Sequence, residues 1–173
     1  MKWNNQLIEQ LQWSNTIINR AGKERVAKEV ADIAKNGDII GAGSGSTVYL
    51  TLFALAERIR KEALHIEIIP ASNEISMTCI QLNIPQTTLW NKRPDWTFDG
   101  ADEVDPQHNL IKGRGGAMFK EKLLIKSSDK SYIIIDQARR WSVWVVNFLF
   151  RWKSFPVRSI MRSRRFIGWE LLK

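Results

Sequence analysis

A chain of 173 residues with 44% apolar side chains has the length and core material for one domain of ordinary size. Its single cysteine, Cys79, excludes an internal disulfide and a cysteine-rich metal cluster, and no apolar run reaches the length of a membrane span. The net charge of +8 invites a nucleic-acid partner, but residues 1–136 balance 17 Lys/Arg against 17 Asp/Glu; the whole excess lies in residues 137–173, where nine basic residues face one acid, Glu170.

Residues 1–20 are polar and lack the apolar core of a signal peptide, so the cytoplasm is the expected compartment. Leu7, Ile8, Leu11, Ile17 and Ile18 share one face of an amphipathic helix, with Trp3 and Trp13 beside it, and we read this stretch as an N-terminal extension. From Ala21 to Lys35, Val26, Val30, Ile33 and Ala34 recur at helical spacing, and Asn36-Gly37 supplies a stop. Asp38–Ala42 then reads as a short buried strand that runs into Gly43-Ser44-Gly45-Ser46-Thr47, followed by an apolar helix over Val48–Ile59. Strand, glycine turn and helix together expose backbone N–H groups at a positive dipole end, with Ser46 or Thr47 as the expected cap. The turn is neither a phosphate-binding GxxxxGK(S/T) loop nor a full GxGxxG, whose third glycine would fall at Val48.

His65–Pro70 is a second strand, a helix runs from Ser72 or Asn73 to Leu82, and Ile84–Trp90 offers a third short strand or edge. His65 and His108 have no partner at ligand spacing and read as surface and turn residues, and Cys79 lies on a buried helix face. Trp96–Phe98 is the next strand and ends abruptly in Asp99, Asp102, Glu103 and Asp105. A small-residue turn carrying Lys112 and Arg114 leads into a helix over Gly115–Lys126, in which Met118, Phe119, Leu123 and Leu124 are expected to point inward. Lys130–Asp136 closes the series as a buried strand. This alternation predicts an α/β fold, a mostly parallel Rossmann-like sheet over 21–136 with helices on both faces.

An apolar strand, then carboxylates, then a cationic glycine-rich loop is how such folds build a site at the carboxyl ends of their strands. The mixture of acids (with Glu121) and cations (Lys112, Arg114, Lys120, Lys122) suits acid/base work on a phosphorylated substrate better than a pure anion or metal site. Each residue also has a plainer reading. Glu121, between Lys120 and Lys122, fits a solvated helix face; Asp99 and Asp102 fit turn formation or a Mg²⁺ site, which Lys112 and Arg114 oppose.

Three blocks, GAGSGST at 41–47, DGADEVD at 99–105 and IKGRGGAMFKEK at 111–122, resemble in order and spacing the type A ribose-5-phosphate isomerases, and DQARR at 136–140 adds a weaker match. The resemblance covers about residues 21–140. It implies an aldose–ketose isomerase of the pentose phosphate pathway that interconverts D-ribose 5-phosphate and D-ribulose 5-phosphate with no metal and no cofactor. By that resemblance Glu121 is the general base, Asp99 and Asp102 handle hydroxyl protons and ring opening, and Lys112 is the electrostatic partner of the substrate oxygens. It also implies substrate contacts from Lys23, from Ser44, Gly45, Ser46 and Thr47, from Gly100 and Ala101, from Gly113, Arg114 and Gly115, and from Arg139. The expected partner is a small sugar phosphate, with a homo-oligomer if the fold is complete, no membrane and no nucleic acid. The alternative is a non-catalytic sugar-phosphate-sensing domain, which needs the cationic loop but not the base.

Residues 137–173 depart from that family. Four of the eight tryptophans and seven of the thirteen arginines lie there, and Arg139 stands where a lysine is expected; the second small α/β domain of the family is therefore expected to be missing or incomplete. We read this basic Trp/Arg-rich tail as the product of a frameshift or a degraded gene copy, rather than as a nucleic-acid or acidic-membrane element. Translating the other two frames of the coding DNA beyond codon 136 is expected to recover a family-like continuation; its absence from both would count against a frameshift.

Overall fold

The computed structural model describes residues 13, 16–104, 110–113 and 116–135, and the backbone of 165–167. Five parallel strands form the main sheet in the order β2-β1-β3-β6-β7: β1 (Ile39–Ala42), β2 (Glu67–Pro70), β3 (Trp96–Gly100), β6 (Lys130–Ile134) and β7 (Arg165–Ile167). The helices are α1 (Arg20–Ala31), α2 (Ser46–Glu62), α3 (Asn73–Gln81) and α4 (Met118–Ser127). A separate two-stranded antiparallel pair, β4 (Glu103–Val104) and β5 (Leu110–Ile111), projects between β3 and α4. No helix among the described residues is long and apolar enough to cross a membrane.

Strand periodicity divides the core. Ile40 and Ala42 of β1, Ile68 of β2, Trp96 and Phe98 of β3 and Ile134 of β6 join Val26, Val30, Val48, Leu52, Leu55, Ile75 and Cys79 on the face covered by α1, α2 and α3. The alternate residues face the other way. Ile69 packs with Leu124 of α4, and Ile133 with Val104 of the hairpin and Ile125. Helices therefore lie on both faces, as the alternation of strands and helices predicts. Along β3 the same alternation puts Thr97 and Asp99 on the α4 side, opposite to Trp96 and Phe98.

Local physics sets the boundaries. The first helix ends at Ala31 rather than Lys35: Ile33 and Ala34 tighten into i−3 bonds to Val30 and Ala31, and Arg58 of α2 donates to the carbonyls of Ala31 (2.5 Å) and Ala34 (3.0 Å). Gly37 follows at φ 90°, and the Asp38 carboxylate ties the turn to β3 by accepting from the Trp96 indole at 2.8 Å. Residues 84–90 do not form a full strand. A single bridge, Ile68 to Gln86, with bonds from Ile68 N–H to Pro85 O and from Thr87 N–H to Ile68 O, lines the β2 edge. The β4–β5 pair replaces the plain turn expected there.

The inward face of α4 also differs from expectation. Glu121 and Leu124, three residues apart, are the buried pair, whereas Phe119 is 78% and Leu123 43% exposed. With 3.6 residues per turn, a helix that turns Glu121 and Leu124 inward carries Phe119 to its far side. Cys79 is buried as expected, and burial pushes its thiol up to about 12. The proposed extension over 1–20 and the tail over 137–173 lie outside the described residues, apart from Trp13, residues 16–20 and the backbone of β7.

Phe98 is fully buried at the centre of the larger core. Phe98→Ala is expected to cost about 3–5 kcal/mol, measured by denaturant unfolding. A loss below about 1 kcal/mol would show that this core does not carry the fold.

Candidate functional site

The site begins at the carboxyl end of β3, where a strand that is apolar on one face ends in a fully buried Asp99. Room for that carboxyl comes from Gly43: a Cβ there would lie 2.1 Å from Asp99 Cγ. The glycine after β1 is thus required by close approach, not only by the turn. Gly43 N–H donates to Phe98 O at 2.9 Å and so fixes the loop against β3. Asp99 Oδ1 accepts from the N–H groups of Gly100 (2.7 Å) and Ser44 (3.2 Å).

Lys112 arrives from the other direction. The β4–β5 pairing, Glu103 opposite Ile111, sets its register, and Asp102 N–H donates to Ile111 O at 2.9 Å. The Lys112 ammonium lies 2.7 Å from Asp99 Oδ2, off the line of an ideal hydrogen bond, and 3.4 Å from Glu121 Oε2; it also donates to Gly100 O. Glu121 sits in the first turn of α4, only 4% exposed, where the positive end of the helix dipole favours a carboxylate. Its Oε1 accepts a short hydrogen bond from the Ser44 hydroxyl.

Two buried carboxylates therefore share one ammonium. Burial pushes Asp99 from the ordinary 3.8 up to about 6; the Lys112 charge works against that rise and the Glu121 carboxylate adds to it. For Lys112, burial works against the charged form, but Asp99 and Glu121 outweigh it and hold the ammonium's pKa above the ordinary lysine value. With both acids ionised the trio carries one net negative charge. Such a site readily takes up a proton, and the ammonium fills the space in which a divalent cation would bridge the acids.

A second, cationic end lies on the same loop. Gly45 is the N-cap of α2 at φ 96°, with no side-chain cap, and Ser46 and Thr47 are in the first turn rather than capping it as expected. The Ser46 hydroxyl accepts from Lys23 at 2.9 Å, and Lys23, on α1, is itself buried. The Thr47 carbonyl accepts from the Thr51 hydroxyl at 2.9 Å. Residues 43–47 thus join an acid cluster, through Ser44, to a lysine and an uncapped helix N-terminus, through Ser46.

Of the sequence-derived residues, the structure brings together Asp99, Lys112, Glu121 and Ser44 by direct contact, with Gly100 as backbone donor and acceptor. Ala101 is buried beside the hairpin, and Gly113, at φ 122°, lies under Met118. Asp102 is tied to the strand that delivers Lys112. Arg114, Gly115 and Arg139 lie outside the described residues. Periodicity around Lys120 and Lys122 missed the burial of Glu121; the Glu121–Leu124 spacing was the signal for it.

Because the folded-state pKa of Asp99 is raised, the folded chain holds more protons than the unfolded one between roughly pH 4 and 6. The contribution of Asp99 to stability is therefore greatest in acid and is lost as pH rises through about 6. Asp99→Asn is expected to flatten that fall in plots of unfolding free energy against pH. An unchanged slope in the variant would mean that Asp99 is not the group responsible.

Known proteins share this arrangement of segments. The family model described as ribose 5-phosphate isomerase A (phosphoriboisomerase A) matches residues 67–150. A ribose-5-phosphate isomerase A of Oceanobacillus iheyensis is 43% identical over 118 residues, which cover 68% of this chain and 53% of that protein. The solved ribose 5-phosphate isomerase A of Methanocaldococcus jannaschii matches with a TM-score of 0.69 at 38% identity, covering 71% of this chain and 55% of that one. A solved D-ribose-5-phosphate isomerase in complex with phospho-erythronic acid matches with a TM-score of 0.70 at 31% identity, covering 72% of this chain and 56% of that one. The chain spans about half the length of the relatives it matches.

Proposed function

This chain belongs to the ribose 5-phosphate isomerase A family, and on that premise we propose that its site interconverts D-ribose 5-phosphate and D-ribulose 5-phosphate through an enediolate. The observation that carries the reading is the trio of buried Glu121 and Asp99 on one shared, partly buried Lys112 ammonium, at the carboxyl end of β3.

An aldose–ketose isomerisation moves one carbon-bound proton from C2 to C1 and one hydroxyl proton from O2 to O1. Glu121 takes the C2 proton of the open-chain aldose. The electron pair left behind forms the C1–C2 double bond, and the carbonyl oxygen at C1 becomes an oxyanion. The same carboxyl then returns its proton to C1 while the carbonyl re-forms at C2. Charge builds on O1 and then on O2, beside a lysine ammonium that stays protonated because two carboxylates surround it. Asp99, with a pKa near 6, exists in both protonation states near neutrality and so suits the exchange of hydroxyl protons and the opening of the sugar ring, with Asp102 as its expected partner. Strand, hairpin and helix hold these groups on separate rigid elements, which supports the orientation the transfer needs.

The phosphate belongs at the other end of the 43–47 loop. Lys23 and the uncapped first turn of α2 offer an ammonium and backbone N–H donors to an anion. The relative solved with phospho-erythronic acid carries a phosphorylated ligand with a carboxyl group, in keeping with this division into an anion end and an acid/base end. A sensing domain would need only the anion end. The cost of burying Glu121, several kcal/mol for an ion removed from water, is explained by chemistry and not by binding alone.

Isomerisation of ribose 5-phosphate is expected in the presence of EDTA, with Glu121→Gln lowering kcat by about 10²–10⁴-fold. The check is a direct assay of ribulose 5-phosphate formation. Binding of ribose 5-phosphate without turnover, by wild type and variant alike, would instead support the sensing domain.

A further inference from the structure

Ser44, whose resemblance-based role is substrate contact, gives both of its donors to the protein. Its N–H donates to Asp99 Oδ1 at 3.2 Å, and its hydroxyl donates to Glu121 Oε1. We infer that Ser44 is the positioning residue of the base, fixing the Glu121 carboxylate so that Oε2 alone carries the migrating proton. This inference rests on the isomerase reading above.

A glutamate has no preference of its own for which oxygen meets the substrate, because its terminal torsion is broad and two-fold. Glu121 is also carried by a different element from the loop it faces. Ser44 removes that freedom. Its backbone is anchored to one carboxylate, and the loop is held to β3 by Gly43 N–H on Phe98 O at 2.9 Å, so its hydroxyl reaches Glu121 from a fixed point. Two consequences follow for the oxygens. The seryl proton occupies Oε1. Among the described residues Oε2 meets only the longer Lys112 contact, 3.4 Å against the 2.7 Å between Lys112 and Asp99, so it is the oxygen left to face a substrate. Taking a proton from C2 and delivering it to C1 requires the same oxygen to face both carbons. A carboxylate free to rotate would present its proton to water between the two steps and exchange it.

The test uses the full chain and ribose 5-phosphate in D₂O, with wild type, Ser44→Ala, Ser44→Thr and Glu121→Gln. It reads kcat, KM and the fraction of ribulose 5-phosphate carrying deuterium at C1. Ser44→Ala is expected to lower kcat by roughly 10–10²-fold with KM within about threefold of wild type. Its product is also expected to carry more deuterium, and Ser44→Thr, which keeps the hydroxyl, to recover both quantities. If Ser44→Ala does not fold, Ser44→Cys keeps the volume with a weak donor and is judged by the same criteria. A raised KM at unchanged kcat would return Ser44 to substrate binding and overturn the inference, as would wild-type kcat and deuterium content in Ser44→Ala. Absence of turnover in the wild type removes the isomerase reading, whereas full activity in Glu121→Gln leaves that reading standing and removes Glu121 as the base, and with it the positioning role of Ser44. Those outcomes are distinct from an active wild type, an inactive Glu121→Gln and an unaffected Ser44→Ala, which overturn the positioning role alone.

Discussion

One ammonium shared by two buried carboxylates is the interaction on which the described structure turns. Withdrawing an ion from water costs several kcal/mol even after the protein relaxes, so Asp99 and Glu121 stay inside only while Lys112 stands between them. Three separate segments must therefore converge within a few ångströms. β3 delivers Asp99, the β4–β5 pair delivers Lys112, and the first turn of α4 delivers Glu121. Errors in strand register would separate them: a one-residue slip of β3 would turn Asp99 into the apolar core that holds Phe98.

The glycine loop after β1 works in the same balance. Gly43 leaves the volume that the Asp99 carboxyl fills, and the next residue, Ser44, contacts both acids. Two residues further on, Ser46 meets Lys23 at the start of α2. A five-residue loop thus spans from the negative to the positive end of the site. On the proposed reading this polarity would orient a sugar phosphate, with the phosphate at the helix terminus and the carbonyl end at the acids. Position 43 is a glycine for a steric reason, since backbone and carboxylate approach there more closely than a side chain allows.

The surface of α4 shows how strongly such a site overrides ordinary patterning. An amphipathic helix would bury Phe119 and Leu123 and expose Glu121; here the acid is inside and Phe119 is mostly in water. Leu124 anchors the helix among Ile69 and Ala71, Ile125 packs against the cluster of Val104 and Ile133, and Glu121 takes the remaining buried position. Local rules fail where function sets the side chain.

Much was legible in the chain itself. Alternating apolar strands and helical spacings determine the parallel α/β sheet, because periods of 2 and 3.6 each allow only one kind of buried face. The blocks at 41–47, 99–105 and 111–122 mark the site and its residue types, since glycines, acids and lysines clustered at strand ends have few purely structural uses. Sequence did not determine the β4–β5 pair, the burial of Glu121 or the donation of both Ser44 donors to the acids. Those depend on contacts between elements, from the short-range pairing of Glu103 with Ile111 to the bonds from Ser44 to Asp99 and Glu121, 55 and 77 positions away, and periodicity reports only the face a residue takes within its own element. Which oxygen Ser44 meets, and how one lysine divides its charge between two acids, only the tertiary structure decided, because both are set by distances across three elements that no single segment encodes.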